Sequence, residues 1–478
     1  MTTHYPLMIP GAVPSGNTLT VTAPYDDSII ATLDTANAAA VKTALNTAQQ
    51  LFADRSRWLS AAERIAILKK TAELMDTQAD DLAMEAAREG GKPLMDSRVE
   101  VARAIDGVHN CIECIRGNGG REIPMGTNLA SQGRLAFTRK EPIGVVVAVS
   151  AFNHPLNLIV HQVGPAVASG CPVIIKPAQD TPLSCYRFVA LLREAGLPEA
   201  WCQALVVSDL DVASQLVSDS RVGFFSFIGS AAVGWMLRSK LAPGARCALE
   251  HGGAAPVIIE ADADLDDALP LIAKGGFYHG GQVCVSVQRV FCHCSIASEV
   301  ADRLSTLAQA QVVGDPTDPA TEVGPLIRAK EVDRVQQWVS EAVAAGAELL
   351  TGGEVHGHCY SPTVLFNPPQ DAKVSNKEIF GPVICVYDYV DMDEALGRAN
   401  ALPVAFQAAV FTRSMDKALQ AYRGFDASAV MINDHTAFRV DWMPFAGLRQ
   451  SGLGVGGIPY TYRDMQIEKL MVIRSRVL

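Results

Sequence analysis

Residues 143–149 read IGVVVAV and run straight into Ser150-Ala-Phe152-Asn153-His154-Pro155. Seven residues with no polar side chain at either parity describe a strand buried on both faces, the situation of a central strand in a parallel sheet. The polar turn that follows stands at the strand's carboxyl end, where open α/β sheets place their ligands. The next stretch keeps the pattern. Helical spacing over 156–169 precedes a second buried strand at 172–175, which closes on Lys176-Pro177. A helix over 182–195, a strand at 204–207 and a strand at 223–227 follow; the last turns at Gly229-Ser230 into a helix over 231–241. Strands alternating with helices demand right-handed crossovers and predict an α/β, doubly wound, Rossmann-like nucleotide-binding domain.

A chain of 478 residues exceeds what one core supports, so two or more domains are expected. Residues 1–35 form an extended lead-in punctuated by Pro and Gly. Ala-rich helices cover 36–55 and 60–90, break at Gly90-Gly91-Lys92-Pro93, and resume over 95–115 until Gly117-Asn118-Gly119-Gly120. From 121 to 140 the helical signal vanishes and GRLAFTRKEP alternates. This is read as a hairpin leaving the body of the domain to make an oligomer contact. The strand-like LMVIRSRVL at the end of the chain is its expected partner, or that of a neighbouring subunit's sheet. Helices over 297–312 and 329–346, strands at 383–389 and 430–433, and a turn-rich segment at 435–457 complete the chain. Within it, GLGVGG at 452–457 satisfies G-x-G-x-x-G. No strand precedes it in a βαβ unit, so it is read as a flexible loop, and the phosphate site is expected at Gly229-Ser230.

Composition narrows the function classes. A net charge of −11 and a pI near 5.4 argue against nucleic acid or an anionic membrane surface as partner. The start, MTTHYPLMIPGAVPSG, has no basic n-region, and no apolar stretch reaches 18 residues; neither a signal peptide nor a membrane span is expected. Eleven cysteines, an odd number, suit reduced thiols in the cytoplasm. Cys111-x-x-Cys114 is expected to pack on one helix face. Cys292-His293-Cys294 and His356-Gly-His358-Cys359 lack the paired spacing of a zinc site, so no metal is expected.

One cysteine stands apart. In Gly280-Gly281-Gln282-Val283-Cys284 the glycines let backbone approach whatever docks beside the sulfur. They also place Cys284 on a loop or at a helix mouth, where free amides would lower the thiol pKa and bind an oxyanion. The alternative is a buried structural cysteine. Glu250, just before Gly252-Gly253, is a catalytic carboxylate, a helix cap or a surface charge.

The stretches EPIGVVVAVSAFNHP, IIKPAQDTP, FSFIGSAAVG, LEHGG, GGQVC, VGPL, EIFGPV, INDH and MPFAGLRQSGLG occur in the order, and over nearly the whole length, of the aldehyde dehydrogenase superfamily, which the chain resembles. FNHP, FYHGGQVC and FRVDWMPFAG look most like its lactaldehyde and phosphonoacetaldehyde dehydrogenase branch. The resemblance implies a cofactor-binding domain at 1–120 and 141–248, a catalytic domain at 249–432, a return segment at 433–457 bordering the substrate entrance, and an oligomerisation element of 121–140 with 458–478. It implies Cys284 as nucleophile, the Asn153 amide with the Cys284 N–H for the oxyanion, and Glu250 as the base that activates water. NAD or NADP would lie against Lys176, Gln179, Gly229, Ser230, Glu378, Phe380 and Phe152. Gln179 stands where NAD-preferring members usually carry Glu, which implies that NADP is accepted. His154, Arg439 and Arg103 are the expected substrate anchors, for a small hydroxylated or anionic aldehyde. Val283 puts no charge beside Cys284. The competing assignment for Arg439 is an ion pair with Asp441 or Asp434. A homodimer or homotetramer is expected. Two rival functions are a CoA-acylating dehydrogenase, which Glu250 argues against, and a non-catalytic binding protein, which Cys284, Glu250 and Asn153 together argue against.

Overall fold

The computed structural model describes residues 2–478. Its first sheet has the order Gly452–Leu453, Arg246–Glu250, Val222–Ile228, Val145–Val149, Val173–Lys176, Cys202–Ala204. All neighbours are parallel except Gly452–Leu453, which runs antiparallel along one edge. The chain enters at Val145–Val149, steps outward through two strands, then returns to the other side at Val222–Ile228. Strand order therefore reverses between these two central strands, and the crevice beyond their carboxyl ends is the natural ligand site. Val145–Val149 is buried along its whole length, as a strand covered by helices on both faces must be.

The second sheet has seven strands, Glu348–Thr351, Thr363–Phe366, Val383–Tyr389, Val287–His293, Ala255–Ile259, Gln407–Phe411 and Ala429–Ile432, again parallel apart from one edge. Its strand Val287–His293 begins three residues after Cys284, so the thiol lies where this sheet meets the first sheet's crevice. A third sheet joins Glu122–Ile123, Arg134–Pro142 and Gln466–Arg474. The last two pair antiparallel from Gln466–Pro142 to Arg474–Arg134. The expected hairpin is present, and the C-terminal strand takes it as partner, leaving Leu470, Met471, Val472 and Ile473 exposed on an open edge.

Several sequence expectations change. The lead-in is a three-stranded sheet, Thr3–Tyr5, Ile29–Asp34 and Thr18–Thr22. The helix expected over 60–90 is two helices, Ala61–Thr77 and Ala79–Gly90, separated at Gln78. GLGVGG is no free loop: Gly452 pairs with Glu250 and Leu453 with Leu249. A boundary after residue 248 would also cut the Arg246–Glu250 strand. Cys111 packs in the helix Leu94–Arg116 against the helix Asn157–Ser169. A Cβ on Gly164 would meet its sulfur at 2.9 Å, so the glycine permits the close crossing. Cys292 is buried, whereas Cys294 lies beyond the strand and is exposed.

Candidate active site

Cys284 lies in the turn between the short helical segment Tyr278–Gly281 and the strand Val287–His293. His279, Gly280 and Gly281 all have left-handed backbone, with φ of 51°, 61° and 69°. At Gly281 no other residue fits, since a Cβ would stand 2.1 Å from the Gly381 carbonyl oxygen. Gln282 then clamps the turn. Its Oε1 accepts from the Ile327 N–H at 3.0 Å, and its Nε2 donates to the carbonyls of His279 and Pro325. Its own carbonyl accepts from Asn153 Nδ2 at 2.9 Å. That bond ties the turn bearing the cysteine to the polar turn at the end of Val145–Val149. It leaves the second Nδ2 hydrogen of Asn153 uncommitted.

Glu250 closes the strand Arg246–Glu250, and its carbonyl receives the Gly229 N–H at 3.0 Å. Its Oε1 lies 4.0 Å from Cys284 Sγ. Burial raises the Glu250 pKa, and the Arg439 charge opposes the rise only in part. The cysteine corrects an expectation. Burial first, and the Glu250 carboxylate second, push its thiol well above the ordinary value. No helix starts at Cys284 to lower it, because the turn feeds a strand. The thiol, its pKa raised, thus faces the Glu250 carboxylate as its nearest acceptor.

These groups line a cleft of about 560 Å³ together with Lys176, Gln179, Gly229, Ser230, Glu378, Phe380 and Phe152. The lining suits a dinucleotide. Glu378 is half-buried, its pKa pushed up to about 8 by desolvation, and its Oε1 is shielded from solvent with no protein partner. A buried acceptor left in this state asks for a hydroxyl donor. Gly252 must be glycine to admit it, since a Cβ would fall 1.6 Å from that oxygen. Phe380, itself at φ 49°, meets Phe152 edge to face at 5.9 Å. Lys176 is pulled down to about 8 by burial and donates to the Pro177 carbonyl. Gln179 donates to the Val207 carbonyl, and the neighbouring Asp180 is held by Arg328. The site thus brings no unpaired acid to the end where Lys176 lies.

His251 donates from Nδ1 to the Gly229 carbonyl at 2.9 Å and is flanked by Phe227 and Trp235. Burial lowers its pKa, so it acts as neutral packing beneath the glycine loop.

The three proposed substrate anchors divide. Arg439 lines the cleft, stacks its guanidinium 3.6 Å from the Phe445 ring centroid, and leaves Nε unpartnered. Neither Asp441 nor Asp434 pairs with it. Asp441 instead takes Arg103, with bonds of 2.7 and 3.1 Å, and His161 at 2.7 Å, while Asp434 accepts from the His435 N–H. Arg103 reaches the cleft with its charge already neutralised. His154 also lines the cleft, and its Nδ1 lies 2.7 Å from the Lys92 ammonium. Sequence reasoning did not find the Gln282 clamp, the Asp441 hub or Lys92, because each depends on a distant partner, 45, 338 and 62 residues away.

A nucleotide-type crevice that meets a half-buried thiol, a carboxylate and an amide at one junction defines a two-sheet, cofactor-dependent enzyme. The profile of the aldehyde dehydrogenase family matches residues 12–470, and the chain belongs to that family. It is an NAD- or NADP-dependent oxidoreductase acting on the aldehyde group. It is similar to a 3-sulfolactaldehyde dehydrogenase of Priestia megaterium, 38% identical over 414 residues and 87% of each chain. A lactaldehyde dehydrogenase of Methanocaldococcus jannaschii is 32% identical over 454 residues, covering 94% of this chain and 96% of its own. Among solved structures, aldehyde dehydrogenase 21 of Physcomitrella patens in complex with the reaction product succinate superposes with a TM-score of 0.95 at 33% identity, over 99% of both chains.

Proposed function

We propose that this enzyme oxidises a short aldehyde bearing a hydroxyl or an anionic group to the carboxylic acid. The Cys284 thiol gives its proton to Glu250, and the thiolate adds to the aldehyde carbon. The free Asn153 amide hydrogen and the Cys284 backbone N–H take the oxyanion, each worth roughly 2.7–4 kcal/mol in a water-poor site. The bound cofactor supplies the hydride acceptor, for which Glu378, Phe380, Phe152, Lys176, Gln179, Gly229 and Ser230 form the cradle. Loss of hydride from the adduct leaves a thioester on Cys284. Glu250 first gives the thiol's proton up to solvent and then, as carboxylate, takes a proton from water. Hydroxide adds to the thioester carbon, and the acid departs as the Cys284 thiolate is released and takes the proton back from Glu250.

The observation that carries the substrate class is Arg439, a cleft-lining cation with no carboxylate partner among the described residues. A half-buried charge with a shielded, unpartnered Nε favours an anionic or strongly polar partner. The substrates named in the two relatives, one sulfonated and hydroxylated and one hydroxylated, support the same reading. Gln179 in place of an acid removes repulsion of a 2′-phosphate, so NADP serves as well as NAD. The test is a panel of aldehydes with NAD and NADP in parallel. The reading requires polar short aldehydes to exceed propanal in kcat/KM, and NADP to be turned over; preference for long apolar aldehydes would refute it.

The open apolar edge of Gln466–Arg474 supports assembly into a homodimer or homotetramer, which sedimentation would measure. Eleven free cysteines favour a cytoplasmic setting.

A further inference from the structure

Lys92 is fully buried in the turn between the helices Ala79–Gly90 and Leu94–Arg116. A lysine with no exposure needs partners for its ammonium, and it has two. It donates to Glu100 Oε2, and it stands 2.7 Å from His154 Nδ1. Glu100 is itself fully used: its Oε1 accepts the N–H groups of Leu156 and Asn157, each at 2.9 Å, at the start of the helix that follows the Asn153 turn. Three donors therefore fix Glu100, and Glu100 fixes Lys92.

The consequence lies in His154. An ammonium has donors and no lone pair, so the imidazole nitrogen facing it accepts. With Nδ1 as acceptor, the neutral ring carries its proton on Nε2. Nε2 makes no hydrogen bond to the described residues and is not among the buried unpartnered atoms, so it opens onto the cleft that His154 lines. The groups facing the ring are Lys92, Glu100, Arg103, Tyr278, His279 and Arg439. Cations outnumber the single carboxylate, and with burial they hold the ring neutral.

We propose that Lys92 is a positioning residue for substrate selection: anchored by Glu100, it locks His154 in the Nε2–H tautomer and aims one neutral N–H donor at the hydroxyl or anionic oxygen of the aldehyde. This rests on the polar-aldehyde reading above and adds a division of labour. Arg439 supplies charge, and His154 supplies a directed, uncharged hydrogen bond. His154 adjoins Asn153 in the chain, and both line the cleft that holds Cys284.

The test compares lactaldehyde with propanal, which differ by one hydroxyl, in the wild-type enzyme and in Lys92→Met, His154→Phe and the double variant. Loss of one neutral hydrogen bond predicts that Lys92→Met lowers the lactaldehyde-to-propanal ratio of kcat/KM about tenfold, chiefly through the KM for lactaldehyde. In the His154→Phe background the same substitution should leave the ratio within about twofold. Gln at 154 carries a donor in any state, so Lys92→Met/His154→Gln should recover the ratio. Equal losses for both aldehydes, or an undiminished effect of Lys92→Met in the His154→Phe background, would show a merely structural lysine and overturn the proposal. A ratio that falls in His154→Phe but not in Lys92→Met overturns it while leaving the polar-aldehyde reading intact. A ratio unmoved by His154→Phe removes His154 from substrate recognition, and the proposal with it. Where Lys92→Met leaves Glu100 uncompensated and the chain fails to fold, the charge-balanced Lys92→Met/Glu100→Gln variant gives the same readout.

Discussion

Carboxylates in and behind one cleft are driven in opposite directions. Asp441 receives Arg103, His161 and Asn157, and these donors hold it far below the usual carboxylate range. Glu250 and Glu378 are only half-buried but have little to accept from, and desolvation pushes both up. The residue type is shared; the number of donors aimed at it decides the sign. The satisfied acid fixes geometry, and the unsatisfied ones are left with capacity for chemistry, Glu250 for a proton and Glu378 for a hydroxyl.

The sharpest way to break this contrast is at the thiol between the two unsatisfied acids. Cys284→Ser should lower kcat on the order of 10⁴-fold or more, with cofactor binding by fluorescence retained; a loss of less than tenfold would remove Cys284 as nucleophile. On the satisfied side, Asp441→Asn should cost about 3–5 kcal/mol, because it strands Arg103 without its partner. Urea unfolding measures it, and a cost below about 1 kcal/mol would mean the hub is not holding the site. Arg439→Met should raise the KM for anionic aldehydes by about 10- to 100-fold, the range of a lost charge-assisted bond, and change propanal far less. The smallest effect belongs to Glu378→Gln, a several-fold rise in the cofactor KM. It also has a pH signature. The folded protein holds the Glu378 proton more tightly than the unfolded chain, so its contribution to apo-enzyme stability is present at acid pH and is lost as pH rises from about 4.5 to about 8. Glu378→Gln should flatten the stability profile in that window, and an unchanged slope would contradict the raised pKa.

What was legible in the sequence follows the same division. The strands at 145–149, 173–176 and 222–228 announce themselves because burial on both faces makes them near-continuous apolar runs, interrupted only by Ser226 and closed by Lys176. The turns after them follow from sheet topology, and so does the place of Asn153 and Gly229-Ser230. Gly280-Gly281 marked Cys284, and the structure supplies the reason in the Gly381 carbonyl. The thiol's upward shift was not legible, because it depends first on burial and then on Glu250 lying 4.0 Å away across two sheets. Gln78 hid a helix break, since no Pro or Gly marks it. Gly452–Leu453 read as a loop, because a two-residue edge strand is defined by its partner, here Leu249 and Glu250. Lys92 looked like part of a Gly-Gly-Lys-Pro breaker, and only the tertiary contact with His154, 62 residues away, gives it a second role.

The central claim is that Glu250 activates the water that releases an acyl group held on Cys284. Pre-steady-state mixing of Glu250→Gln with aldehyde and cofactor tests it most directly, with the reduced cofactor followed by absorbance and Cys284 by peptide mass spectrometry. The account predicts a burst approaching one equivalent of reduced cofactor per subunit, slow turnover afterwards, and an acyl adduct on Cys284. Steady turnover at the wild-type rate, or a burst that leaves Cys284 unmodified, would contradict it.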